Sequence, residues 1–317
     1  MEKTLHETVL QVLDQVNRVI LGKEKEIREI MTAFLAGGHV LLEDIPGVGK
    51  TTMAVAFSRA MQLDYKRVQF TPDVLPSDLT GFSIYRREEE KFVYQKGSIF
   101  CNMLLADEIN RTSPKTQSAL LEVMEERNVT VDGVTRQVPS PFLVIATQNP
   151  EGARGTQYLP EAQVDRFMVS LTLGYPDYES ELTMAREVGP EQKYKSVQPV
   201  LTGDDLLAAQ EEIYQVYMKD VIYEYLLRLT RATRNHPQIE RGASPRATIA
   251  LVKTAKASAW LNGRDYVVPS DVSEQFLYVV PHRVSLTDGA RLEGRTKKQV
   301  LAEIVDKTEV PPMEESR

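Results

Sequence analysis

His39-Val40-Leu41-Leu42-Glu43-Asp44-Ile45-Pro46-Gly47-Val48-Gly49-Lys50-Thr51 decides how this chain is read. The apolar run 39–42 reads as a buried strand. It breaks into a glycine-bearing turn, and Lys50-Thr51-Thr52 then opens an amphipathic helix. This is the layout of a phosphate-binding loop. Glycines let backbone N–H groups close around an anion, the helix N-terminus adds partial positive charge, and lysine adds a full one. The anion-binding residues expected on this reading are Pro46, Gly47, Val48, Gly49, Lys50, Thr51 and Thr52, with the Thr51 hydroxyl placed to ligate Mg2+. The strict pattern G-x-x-x-x-G-K-[ST] is not met, because Asp44 stands at the first glycine position. An ordinary strand–turn–helix corner would look similar.

A second stretch bears on that choice. Asn102-Met103-Leu104-Leu105-Ala106-Asp107-Glu108 is another apolar run, ending in two adjacent carboxylates. Asp107 suits a magnesium ligand and Glu108 suits polarisation of an attacking water, because phosphoryl transfer asks a protein for positioning and charge neutralisation. Acidic pairs also occur at solvated sheet edges. This one follows a phosphate loop, 57 positions after Lys50. Together the two stretches imply binding and hydrolysis of a nucleoside triphosphate.

With 317 residues, 42% of them hydrophobic, the chain can build two cores. A net charge of −7 and a pI near 5.4 argue against a broad basic surface for nucleic acid. The one cysteine, Cys101, cannot form an internal disulfide, which fits a reducing compartment, and its place in an apolar run reads as a core thiol. The four histidines lack metal-ligand spacing. Neither a signal peptide nor an apolar run of membrane-spanning length is evident, so a cytoplasmic, soluble protein is expected.

Residues 4–36 carry apolar positions at helical spacing, broken near Gly22, and residues 1–37 read as a helical lead packing on the core. Apolar runs at 39–42, 67–70, 102–107, 142–147 and 167–173 alternate with helical or mixed segments, the pattern of a parallel sheet covered on both faces. Ser113-Pro114 is a helix start, with Leu120, Val123 and Met124 on one face. After Gly174-Tyr175-Pro176-Asp177 the strand signals stop. The expected domains are an α/β unit over 38–178, a helical unit over 195–305 and a frayed tail over 306–317. Two hairpins interrupt the first unit. One folds 129–136 about Asp132-Gly133, and the other pairs 82–85 with 92–94 across a charged tip.

Taken in order, these motifs resemble those of the AAA+ ATPases, and within them the MoxR group, from about residue 19 to 261. The likeness rests on 41–51, on Leu104-Leu105-Ala106-Asp107-Glu108-Ile109-Asn110-Arg111 and on 114–122. It continues through Ala146-Thr147-Gln148-Asn149-Pro150, 159–167 and Gly242-Ala243-Ser244-Pro245-Arg246-Ala247. The resemblance implies an α/β P-loop AAA+ core, with a five-stranded parallel sheet and helices on both faces, followed by an all-helical lid.

It also implies roles. Asn149 would be the sensor that orients water, Arg166 the arginine finger acting on a neighbouring subunit's nucleotide, and Arg246 the second sensor gripping the γ-phosphate. Ile20 and Gly22 lie in the segment that packs the adenine. Bland alternatives are a turn residue for Asn149, a local ion pair for Arg166 and a capping or surface arginine for Arg246. Arg111 either supports a subunit interface or orients Asn110. ATP and Mg2+ are the implied cofactors, a homo-oligomeric ring (usually a hexamer) the implied assembly, and a von Willebrand factor A-domain protein the implied partner. The implied output is remodelling or maturation of client proteins, including cofactor or metal insertion. Two rivals stay open: a nucleic-acid-stimulated motor, and a nucleotide-gated scaffold with little turnover.

Overall fold

The structure, a computed structural model, describes residues 3–45, 47–149, 159–186 and 193–312. Pro46 and the end of the expected tail, 313–317, lie outside the described residues. Contacts divide the chain into two compact units: Met1–Arg28, His39–Arg166 and Leu171–Leu207 form the first, and Glu29–Gly38, Phe167–Ser170 and Ala208–Arg317 form the second.

The strands of the α/β region are β1 (Val40–Glu43), β2 (Tyr65–Gln69), the pair β3 (Phe82–Arg86) and β4 (Lys91–Gln95), β5 (Met103–Asp107), the pair β6 (Asn128–Val131) and β7 (Val134–Gln137), β8 (Leu143–Gln148) and β9 (Val169–Leu171). The main sheet has the order β2-β5-β8-β1-β9, as five parallel strands. Every residue of β5 is buried, and so is β8 up to Thr147, which explains their unbroken apolar runs: a central strand with both faces covered has no polar side. β2 is an edge strand and reads differently, with Arg67 and Gln69 exposed and Val68 half-buried between them.

Register brings the strand ends together. Gln69 lies opposite Asp107, Ala106 opposite Ala146, and Glu43 opposite Gln148. The C-terminal edge of the sheet therefore collects the residues just beyond β1, β5 and β8, where ligands of open parallel sheets bind. The lead helix Leu5–Asn17 packs on Lys50–Ala60, the helix that follows the loop.

Both hairpins form as separate two-stranded sheets. Asp132 and Gly133 adopt φ of 53° and 73°, the paired left-handed residues of a tight hairpin turn. The Arg136 guanidinium stacks 3.8 Å from the centroid of the Tyr94 ring, so the two hairpins touch. Ser113 caps helix Pro114–Glu126 by accepting the Thr116 N–H at 3.3 Å, and Leu120, Val123 and Met124 are buried. Cys101 is buried, and that burial pushes its thiol up to about 12.

In the second unit helices Asp220–Ala232, Pro245–Leu261, Pro269–Val279 and Lys297–Lys307 pack against one another. Gln275 donates to the Glu29 carboxylate at 2.7 Å, and Arg283 to the Met168 carbonyl at 3.0 Å. Strand signals do not stop entirely after residue 177. β10 (Ile239–Arg241) pairs antiparallel with β11 (Ser285–Leu286), a ribbon too short for its alternation to register in sequence. Among the described residues, no helix is long and apolar enough to cross a membrane.

Candidate functional site

The loop after β1 turns on two glycines. Gly47 and Gly49 hold φ of 89° and 91°, and a Cβ at either would meet nothing within 4 Å. Glycine is needed there for backbone conformation, not for space. Gly49 precedes helix Lys50–Ala60, which leaves the first N–H groups of that helix facing the loop. Lys50 is nearly buried, and its Nζ donates to the Asp44 carbonyl at 2.8 Å. Burial pulls the Lys50 pKa below its ordinary value, against the opposing pull of Asp44, Asp107 and Glu108. A phosphate entering the loop would restore the balance.

A cleft of about 390 Å³ is lined by Gly47, Gly49, Lys50, Thr51, Thr52, Arg67, Gln69, Asp107, Glu108 and Asn149. The phosphate loop, the acidic pair and the expected sensor thus share one space. Val48 is half-buried and is not among the lining residues. Ile20 and Gly22 lie elsewhere in the same unit. Ile20 is buried, and a Cβ on Gly22 would fall 2.4 Å from Ser180 Oγ.

Asp107 and Glu108 are held by residues of β2 and β8, by Asn149 just beyond β8, and by Arg111 in the turn that follows β5. Thr147, fully buried in β8, donates its hydroxyl to Asp107 Oδ1 at 2.6 Å and accepts the Glu108 N–H at 2.8 Å. Arg67 Nη2 donates to Asp107 Oδ2 at 2.7 Å. Glu108 adopts φ 57° and ψ 47°, a left-handed conformation uncommon outside glycine and frequent at functional sites. Its carboxylate accepts from Asn149 Nδ2 at 3.0 Å, Arg111 Nη1 at 2.8 Å and Gln69 Nε2 at 2.8 Å. Burial raises the Glu108 pKa, but the bonds from Arg111 and Asn149 outweigh it, and the net shift is downward. The residue is kept ionised. Asn110 holds Asn149 in turn, accepting its N–H at 3.4 Å and donating to its carbonyl at 3.3 Å.

Thr51 and Asp107 present oxygen donors to one cleft, the donor set suited to a hard divalent cation such as Mg2+. Lys50 and the loop N–H groups suit phosphate. Arg166 does not line this cleft. Arg166 Nε lies 3.2 Å from Glu125 Oε2, and Arg166 lines a second cleft of about 570 Å³ with Glu122, Glu126 and Gln163. Arg246 stands in the first turn of helix Pro245–Leu261 in the second unit. Sequence reasoning missed Arg67, Gln69 and Thr147, and left Arg111 open. The usable signal for β2 was its alternation: Arg67 and Gln69 share a face, at the strand end opposite Asp107.

A family model described as "ATPase family associated with various cellular activities (AAA)" matches residues 39–169, and an "AAA lid domain" model matches 231–304. An uncharacterised protein of Bacillus subtilis, YeaC, is 46% identical over 98% of this chain and 97% of its own length. Chaperone MoxR1 of Mycobacterium tuberculosis is 39% identical over 96% of this chain and 82% of its own. A crystal structure of a candidate ATPase from Cytophaga hutchinsonii superposes with a TM-score of 0.90 at 40% identity, over 97% of this chain and 96% of that one.

Proposed function

This chain belongs to the MoxR family of AAA+ ATPases, and from that premise we propose that it hydrolyses Mg-ATP in a homo-oligomeric ring to remodel or mature client proteins. The observation that carries the reading is the convergence of Lys50, Thr51, Asp107, Glu108 and Asn149 on one cleft. Lys50 and the N–H groups of 47–52 bind the phosphates. Thr51 and Asp107 hold Mg2+, which neutralises charge on the phosphate oxygens. Glu108, kept ionised, takes up the polarising role toward water, and Asn149 orients that water while bonded to Glu108.

Arg166 acts on the nucleotide of a neighbouring protomer. Its pairing with Glu125, away from the residues that line the phosphate cleft, supports a finger that does not serve its own site. Arg246 takes the second-sensor role on the resemblance alone, as do Ile20 and Gly22 the adenine contact. A hexameric ring, a von Willebrand factor A-domain partner and a cytoplasmic setting belong to the same reading. The relative named Chaperone MoxR1 supports a chaperone-like output, and the net charge of −7 speaks against nucleic acid as the client.

The test is Mg2+-dependent ATP hydrolysis by the purified chain, with Glu108→Gln in parallel. Turnover is expected in the unmodified protein, and nucleotide binding without turnover in the variant. If both bind ATP and neither hydrolyses it, the scaffold alternative replaces the ATPase reading.

A further inference from the structure

Asp107 has one carboxylate oxygen committed to the protein interior and one facing a movable cation. Oδ1 takes the hydroxyl of fully buried Thr147 at 2.6 Å, whereas Oδ2 takes the Arg67 guanidinium at 2.7 Å. The Arg67 side chain is 45% exposed against 13% for Asp107, so the arginine can leave toward water and the aspartate cannot. Other nearby cations are engaged elsewhere: Lys50 donates to the Asp44 carbonyl and Arg111 to Glu108. Two adjacent carboxylates in one cleft need positive charge beside them, because a buried carboxylate without a counter-ion is costly.

Arg67 is also oriented. Its Nη2 donates to Gln69 Oε1 at 3.1 Å, and Gln69 donates to Glu108 at 2.8 Å. Both side chains leave the same face of edge strand β2, two residues apart, and both line the cleft that holds Thr51. We propose that Arg67 is a tethered counter-cation of Asp107: it occupies the outer oxygen of that carboxylate and must give way when a divalent cation enters. Arg67 is then a positioning residue that sets how much Mg2+ the site requires. This rests on the reading of the cleft as a Mg-nucleotide site.

The consequence is competition. Removing the guanidinium leaves a bare carboxylate that meets the metal more readily, and it leaves the empty site short of a positive charge. The full chain, Arg67→Gln and Arg67→Lys are titrated with Mg2+ at fixed N-methylanthraniloyl-ADP, and binding is followed by fluorescence. The Mg2+ concentration for half-maximal binding is expected to fall about three- to tenfold in Arg67→Gln, as for loss of a partly exposed ion pair, with Arg67→Lys in between. Thermal unfolding gives a second readout. The Arg67→Gln midpoint should drop in EDTA, and the gap to the unmodified protein should narrow with Mg-ADP.

An unchanged or raised Mg2+ requirement in Arg67→Gln overturns the proposal. A loss of nucleotide affinity as large in EDTA as in Mg2+ also overturns it, because Arg67 would then be holding phosphate. If the unmodified chain binds no nucleotide under any condition, the site reading itself fails and this inference fails with it. That result differs from normal binding with an unaltered Mg2+ dependence.

Discussion

The Asp44 carboxylate accepts the backbone N–H of Gly174 at 3.1 Å, and also that of Leu173. The residue that breaks the general loop pattern is therefore an anchor. Its carbonyl receives Lys50, and its nearly buried side chain ties the start of the phosphate loop to the segment after β9. Asp44→Ala would strand two N–H groups and is expected to cost about 2–3 kcal/mol of unfolding free energy, with Asp44→Asn costing less. Denaturant titration of the three proteins decides it. Equal stability of Asp44→Ala and the unmodified chain would contradict the anchoring role.

Thr147 joins the two acidic residues, donating to Asp107 and accepting from the Glu108 N–H. Thr147→Val keeps the shape and loses both bonds. A stability loss of about 1–3 kcal/mol is expected, together with weaker Mg-nucleotide binding, and Thr147→Ser should restore most of each. If valine and serine behave alike in calorimetry and nucleotide titration, the hydroxyl is not what matters.

Arg166 pairs with Glu125 rather than lining the phosphate cleft. If it serves a neighbour, Arg166→Ala should lose about 10³-fold in ATP turnover while still binding nucleotide. Mixing Arg166→Ala with Glu108→Gln protomers should then recover part of the activity, since each supplies the half the other lacks. Absence of recovery in mixtures shown to co-assemble would place the arginine's action within its own chain.

His39 is buried and its tautomer is set by its partners. Nδ1 accepts the Val144 N–H at 3.1 Å, so Nε2 carries the proton and donates to the Met124 carbonyl at 3.1 Å. Burial first, and the Arg127 charge second, lower its pKa from 6.5 to about 3. Between those values the unfolded chain binds one more proton than the folded one, so stability falls as pH falls below 6.5. The contribution reaches about 2 kcal/mol by pH 5, at about 1.4 kcal/mol per pH unit. His282, buried and lowered in the same sense, adds to the slope. Urea titrations at pH 7 and pH 5 should show a smaller acid loss in His39→Gln than in the unmodified chain, and an identical loss in both would refute the assignment.

Much of the fold is legible because each signal is local. The buried strands β5 and β8 are apolar along nearly their whole length, Ser113-Pro114 marks a helix start, and Asp132-Gly133 marks a turn. The short ribbon of β10 and β11 is not legible, since three residues and two carry no period. In the cleft, the phosphate loop and acidic pair are readable because their chemistry lies in consecutive residues. Their supports are not. Arg67 meets Asp107, Thr147 meets Asp107 and Gln69 meets Glu108 across about forty residues of chain, through strand register.

The sequence by itself determined that this chain builds a parallel α/β unit with a phosphate loop, an acidic pair, two hairpins and a helical unit after them, within the MoxR family. Local chemistry suffices for that: apolar period, turn residues and charge in consecutive positions. Only the tertiary structure decided that Asp44 is an anchor, that Thr147 bridges the carboxylates, and that Arg67 stands on the outer oxygen of Asp107 while Arg166 pairs with Glu125. Those facts depend on which strands are neighbours and in what register. No single stretch of sequence encodes that order, because it emerges only when the apolar faces of all the strands are buried together.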